Sequence, residues 1–134
     1  MLIRHGLAEL EEGVWLSAVV LQELTAGARE EREVRQLEGL TKTARKQGRL
    51  LVPTGDDWFY TGKVLNALLR GVRSRRDTRS HAIDKGEQQR LVRDVLIARS
   101  AKRANAPVVT YNRGDYVKIQ RFCNVRLMDP EYFL

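Results

Sequence analysis

Pro107-Val108-Val109-Thr110-Tyr111-Asn112-Arg113-Gly114-Asp115-Tyr116 reads as a short buried strand, a polar loop and the start of a helix. Val108 and Val109 are apolar and β-branched, as suits a strand covered on both faces. Asn112 to Asp115 supplies the loop, and Tyr116 to Gln120 a short helix. In a parallel sheet, ligands bind beyond the carboxyl ends of the strands. Asp115 follows the strand closely and is expected at that edge.

Moving outward, Val125 to Met128 reads as a last short strand, and Asp129-Pro130 breaks it. Upstream, Lys85 to about Asn105 is one long helix, with Asp84 and Glu87 favoured at its start by the helix dipole. From Arg70 to Ser80 the pattern breaks into a basic helix end and loop holding Arg70, Arg73, Arg75, Arg76 and Arg79. Before it, Thr54 and Asp57 make a capping-box-like start, with Asp in place of the usual Glu. The helix they open shows Trp58, Leu65, Leu68 and Leu69 on one side. Leu50 to Pro53 is briefly extended. Arg29 to Gln47 is a charged helix with a thin apolar seam at Val34, Leu37, Leu40 and Ala44, closed by Gly48. Val14-Trp15-Leu16 reads as a buried strand. Ser17 then caps a helix from Ala18 to about Ala26, which Gly27 ends, and Leu7 to Glu12 is the end of an earlier helix. Strands alternating with helices predict an α/β fold, a parallel sheet flanked by helices.

Two acids stand on apolar helix faces. Glu23 shares its face with Val19, Val20, Ala26 and Gly27, and Asp94 shares one with Leu91, Ile97 and Ala98. Burying an unpaired carboxylate costs several kcal/mol, on the order of the penalties known for buried ions. Each therefore asks for a partner. Glu23, Asp94 and Asp115 converging without cysteine or histidine would suit a hard ion, Mg²⁺ or Mn²⁺. Such an ion serves phosphoryl chemistry. Each acid also has a plainer reading. Glu23 reaches solvent or an arginine, Asp94 pairs with Arg90 one turn back, and Asp115 serves a turn or cap. Trp15, Trp58, Phe59 and Tyr132 are expected in the core or an interface, and Cys123 as a small buried hydrophobe.

Composition narrows the class. The chain has 134 residues, 43% hydrophobic and 31% charged, which suits one globular domain rather than a disordered segment. No apolar run is long enough for a bilayer, and the single Cys123 forbids an internal disulfide, so a cytoplasmic protein without membrane contact is expected. The net charge of +7 favours nucleic acid or an acidic protein as partner.

The stretch Leu16 to Ala28, with Glu23 before Leu24 and a small-residue turn after, resembles the second motif of PIN-domain toxins of the VapC type. Asp94-Val95-Leu96-Ile97-Ala98-Arg99-Ser100-Ala101 is similar to that family's third motif. Val108-Val109-Thr110-Tyr111-Asn112-Arg113-Gly114-Asp115-Tyr116 resembles the fourth, a strand ending in Thr-x-Asn with the acid three residues later. Val125 to Pro130 fits the last strand, and Thr54 to Leu69 the helix between the second and third motifs.

The resemblance implies a three-layer PIN-like fold over residues 1–134 and a metal-dependent endoribonuclease, the toxin of a toxin–antitoxin pair. Glu23, Asp94 and Asp115 would hold Mg²⁺ or Mn²⁺, and Thr110 would position a bound water or aspartate. Asn112 would shape the loop presenting Asp115. RNA would be the substrate, a small antitoxin the partner, and a homodimer the common state. Asn112, Arg73, Arg75 and Arg76 are candidate contacts to RNA or antitoxin. The family also opens on a strand ending in an Asp-Thr-Asn-like motif, whereas no aspartate occurs here before Asp56. The first strand is therefore expected to be missing, through a start assigned too late or a truncated relative. The alternative is an inactive PIN-like module that binds antitoxin or RNA; a DNA nuclease related by fold is a weaker third.

Overall fold

The computed structural model describes residues 14–74, 84–110 and 113–133. The expected helix end at Leu7 to Glu12 and the residues Arg75, Arg76 and Asn112 lie outside them. The chain is mixed α/β and divides after Val52 into two compact units. Where one sheet is expected from sequence, the described residues form two separate two-stranded parallel pairs.

The first unit runs β1 (Leu16–Ser17), α1 (Ala18–Ala26), α2 (Glu31–Lys46), β2 (Leu50–Leu51). Ser17 caps α1 as its sequence predicts, its hydroxyl accepting from the Val19 N–H at 3.2 Å. The predicted seam of α2 is real: Leu37, Leu40 and Ala44 are buried, and Leu37 and Leu40 pack with Leu21 against Leu16, Leu24 and Leu50. Acids in the first turn of α2 and Arg45 and Lys46 in its last turn complement the helix dipole. Gly48 then takes φ +69°, the left-handed conformation glycine adopts without strain. That turn aims Gly48 N–H at Arg45 O (3.1 Å) and Arg49 N–H at Ala44 O (2.8 Å), a Schellman closure that delivers the chain into β2. There Leu50 pairs with Leu16 and Leu51 with Ser17. Trp15, expected in a buried strand, is 40% exposed, because the pairing starts only at Leu16.

The second unit runs α3 (Gly55–Ser74), α4 (Lys85–Arg103), β3 (Val108–Val109), α5 (Arg113–Gln120), β4 (Leu127–Met128) and a 3-10 turn at Pro130–Phe133. Asp84 caps α4 through the Glu87 N–H at 2.8 Å. The far end of α4 closes as α2 does, with Asn105 at φ +55° in the glycine position and Ala106 N–H on Ala101 O at 2.9 Å. This turn leads into β3, which pairs with β4 in register Val108 to Leu127 and Val109 to Met128. The core gathers Val64 of α3, Val95, Ala98 and Ala101 of α4, Tyr116 and Ile119 of α5, and Cys123. α4 lies at its centre, packing on both α3 and α5.

One sequence expectation shifts here. The inward face of α3 carries Asp57, Thr61 and Val64, not Trp58, which is 56% exposed; Phe59 is 69% exposed. Exposure removes both aromatics from the core. The basic helix end is where the sequence places it: α3 runs to Ser74, with Arg70 and Arg73 in its last turns.

Candidate functional site

Asp94 stands midway along α4 and is half-buried, beside Val95 and Leu96, which are fully buried. On the face it was expected to share, Ala98 is buried in the core and Leu91 and Ile97 pack against it. Asp115 is half-buried in the first turn of α5. This corrects its expected place in a loop. A carboxylate there faces the unpaired N–H groups of the helix start and is stabilised by them, so the helix begins before Tyr116. Thr110 directly follows β3, its N–H donating to Met128 O at 3.1 Å. Asp94, Thr110 and Asp115 therefore share one unit, on α4, directly after β3 and at the start of α5.

Glu23 belongs to the first unit, half-buried on α1. Its expected apolar surroundings are not a buried face: Val20, Ala26 and Gly27 are exposed, and α1 buries only Leu21. An open groove of about 440 Å³ lies against this helix, lined by Ala18, Leu21, Gln22, Thr25, Ala26 and Thr41, with Glu23 not among its walls. The three acids and Thr110 are all engaged in polar or electrostatic interactions. The donor chemistry of the acids, oxygen only, fits a hard divalent ion. Among the described residues no group of three or more histidine, cysteine, aspartate or glutamate side chains is gathered for a metal.

A different acid is the most buried. Asp57 is 1% exposed and holds the start of α3 to α4. One carboxylate oxygen accepts from the Thr54 N–H at 2.9 Å while Thr54 Oγ1 accepts from the Asp57 N–H at 3.2 Å, the reciprocal cap predicted from sequence. Two arginines one turn apart on α4 neutralise it. Arg103 pairs with Oδ2, and Arg99 Nε lies 3.3 Å from Oδ1. The Arg99 Nε–H is not aligned for a hydrogen bond, so that contact is charge alone. The Arg99 guanidinium also sits 4.3 Å from the Tyr60 ring centroid, a cation–π contact, and Tyr60 donates its hydroxyl proton to Phe122 O. Sequence reasoning found the cap and missed the arginines. The available signal was Arg99 and Arg103 at helical spacing on the core helix.

Cys123 is buried beneath this network. Burial raises its thiol pKa, and the positive charges of Lys102 and Arg99 offset part of that rise. It suits the packing role predicted for it. Among the described residues no helix is long and apolar enough to cross a membrane. No family model matches the chain, and no curated protein and no solved structure is found to be similar to it.

Proposed function

We propose that the chain is a metal-dependent endoribonuclease of the PIN-domain kind, the toxin of a toxin–antitoxin pair, in a three-layer fold. The observation that supports this reading is that Asp94, Thr110 and Asp115 belong to one unit, with Thr110 directly after β3 and Asp115 in the first turn of the helix that follows. Acids at a strand's carboxyl end are where an α/β fold does its chemistry. Asp94 and Asp115 would hold Mg²⁺ or Mn²⁺. Bound there, the ion would supply charge stabilisation and a more acidic water for phosphodiester hydrolysis. Thr110 would orient that water or an acid, and Asn112 the loop before Asp115. Arg73, Arg75 and Arg76 would contact RNA phosphates or the antitoxin. The protein would act in the cytoplasm as a homodimer.

The test is cleavage of a mixed pool of structured RNAs with Mg²⁺, with Mn²⁺ and with a chelator. Metal-dependent cutting that vanishes in Asp94→Asn, with the fold intact, is the expected result. Full activity in that variant would sink the assignment. A second reading is a PIN-like module that binds antitoxin or RNA without cutting. It draws on the described residues, among which no group of three or more histidine, cysteine, aspartate or glutamate side chains is gathered for a metal. Saturable RNA binding without metal-dependent turnover would favour it.

A further inference from the structure

The outward arc of α3 carries two large aromatic side chains that the core does not use. Trp58 is 56% and Phe59 69% exposed, at adjacent positions. One turn on, Gly62 falls between them in angle around the helix. A Cβ there would meet nothing within 4 Å, so the packing does not demand a glycine. Glycine inside a helix is unfavourable relative to alanine, so this one weakens α3 without relieving any contact. Its effect is to leave bare helix surface beside both rings. Asn66, also exposed, follows one turn further between the same two angles. Lys63 and Arg70 lie beyond Phe59, both exposed, and the Lys63 ammonium stands 5.0 Å from the Phe59 ring centroid. Asp56 is the one acid on this arc.

We propose that this face of α3 is a stacking platform for single-stranded RNA. Exposed aromatic faces accept any base by stacking, and flanking cations follow the phosphates. Trp58 and Phe59 are the two stacking rings, and the bare surface at Gly62 admits a base between them. Asn66 carries both a donor and an acceptor for a base edge. Lys63 and Arg70 neutralise phosphates, in keeping with the chain's +7 charge. An apolar protein partner would leave Phe59 among cations and the glycine unexplained. The proposal concerns binding and stands apart from the carboxylate chemistry.

The experiment is fluorescence anisotropy of a short labelled oligouridylate titrated with the full chain in chelator, so that cleavage plays no part. Trp58→Ala and Phe59→Ala should each weaken binding by about five- to a hundredfold, the usual weight of one stacked base. Gly62→Leu should weaken it comparably while the helix becomes no less stable, which separates blocked stacking from misfolding. Lys63→Gln should make the logarithmic salt dependence shallower by about 0.7. No binding by the native chain, or affinities within roughly twofold across the aromatic and Gly62→Leu variants, would overturn the proposal. So would variants that keep RNA affinity but dissociate a self-associated species in sedimentation, which would make the face a protein interface.

Discussion

Removing Asp57 should unfasten α3 from α4. Asp57→Ala deletes the acceptor for the Thr54 N–H and the counter-charge of Arg99 and Arg103. Loss of an N-terminal capping side chain costs about 1 kcal/mol. Breaking a fully buried ion pair costs about 3–5 kcal/mol when the abandoned charge stays buried. Here the arginine side chains are 30% and 45% exposed, so water takes up much of their charge. We discount that part to about 1–2 kcal/mol. The total is then about 2–3 kcal/mol. With an unfolding entropy of about 2.1 cal/mol/K per residue, each kcal/mol shifts the Tm of a chain this size by roughly 3–4 °C. Thermal unfolding followed by far-UV circular dichroism should show Asp57→Ala melting about 7–10 °C below the native chain. Asp57→Asn keeps a carbonyl acceptor for the cap and loses only the charge, so it should fall between the two. Arg103→Ala leaves the buried carboxylate with the Arg99 charge alone and should cost about 1–2 kcal/mol. An Asp57→Ala melt within about 2 °C of native would refute the network as a stabilising element. An Asn variant as costly as the Ala variant would refute the share assigned to the cap.

The other predictions rest on single positions. Because burial raises the Cys123 pKa, the folded thiol should exchange slowly with a chromogenic disulfide reagent at neutral pH and at a free thiol's rate once unfolded, as read by the released chromophore. The sign of the linkage follows from the same shift. The unfolded thiol ionises at about 8.5 and the folded one higher, so this contribution is fully present below that pH and is lost as pH rises toward the folded value. The difference between native chain and Cys123→Ala in urea midpoint should therefore shrink or invert between neutral pH and alkaline pH. Gly48→Ala should cost about 1 kcal/mol in urea unfolding, purely from the φ of +69°, since a Cβ there meets nothing within 4 Å. Asn105→Gly should be neutral or stabilising, because the α4 closure wants the same conformation; a clear loss would contradict that account.

Local chemistry was legible and long-range pairing was not. Ser17 and the Thr54–Asp57 pair announce their helices because a cap is made between residues two or three apart. The leucine seam of α2 is legible because periodicity alone selects its face. The face of α3 is hidden for the opposite reason. Counting apolar residues turns Trp58 inward, but Arg99 and Arg103 pull Asp57 to the packed side, and Trp58 goes outward with the remainder of the turn. Two cations more than forty positions away are invisible to a window of local sequence. The place of Asp115 turns on nearer neighbours. Gly114 and the polar run before it look like a loop, yet the acid's affinity for a helix start carries α5 back to Arg113.

These acids also show why burial alone does not mark a metal ligand. Asp57 is the most buried, and its environment already holds two cations and a backbone donor. A divalent ion would have to displace the arginines at a cost in fold stability. Asp94, by contrast, is half-buried beside the tightest part of the core and lies on the helix that Asp115's helix packs against. If it is the functional acid, neutralising it should spare stability and abolish turnover. Asp57→Asn should do the reverse, lowering Tm while residual activity follows the folded fraction. Measuring both variants for melting and for metal-dependent RNA cleavage therefore separates two carboxylates that the sequence presents alike. An Asp94→Asn chain that unfolds as readily as Asp57→Asn would assign Asp94 to the fold rather than to catalysis, and the ribonuclease reading would lose its central residue.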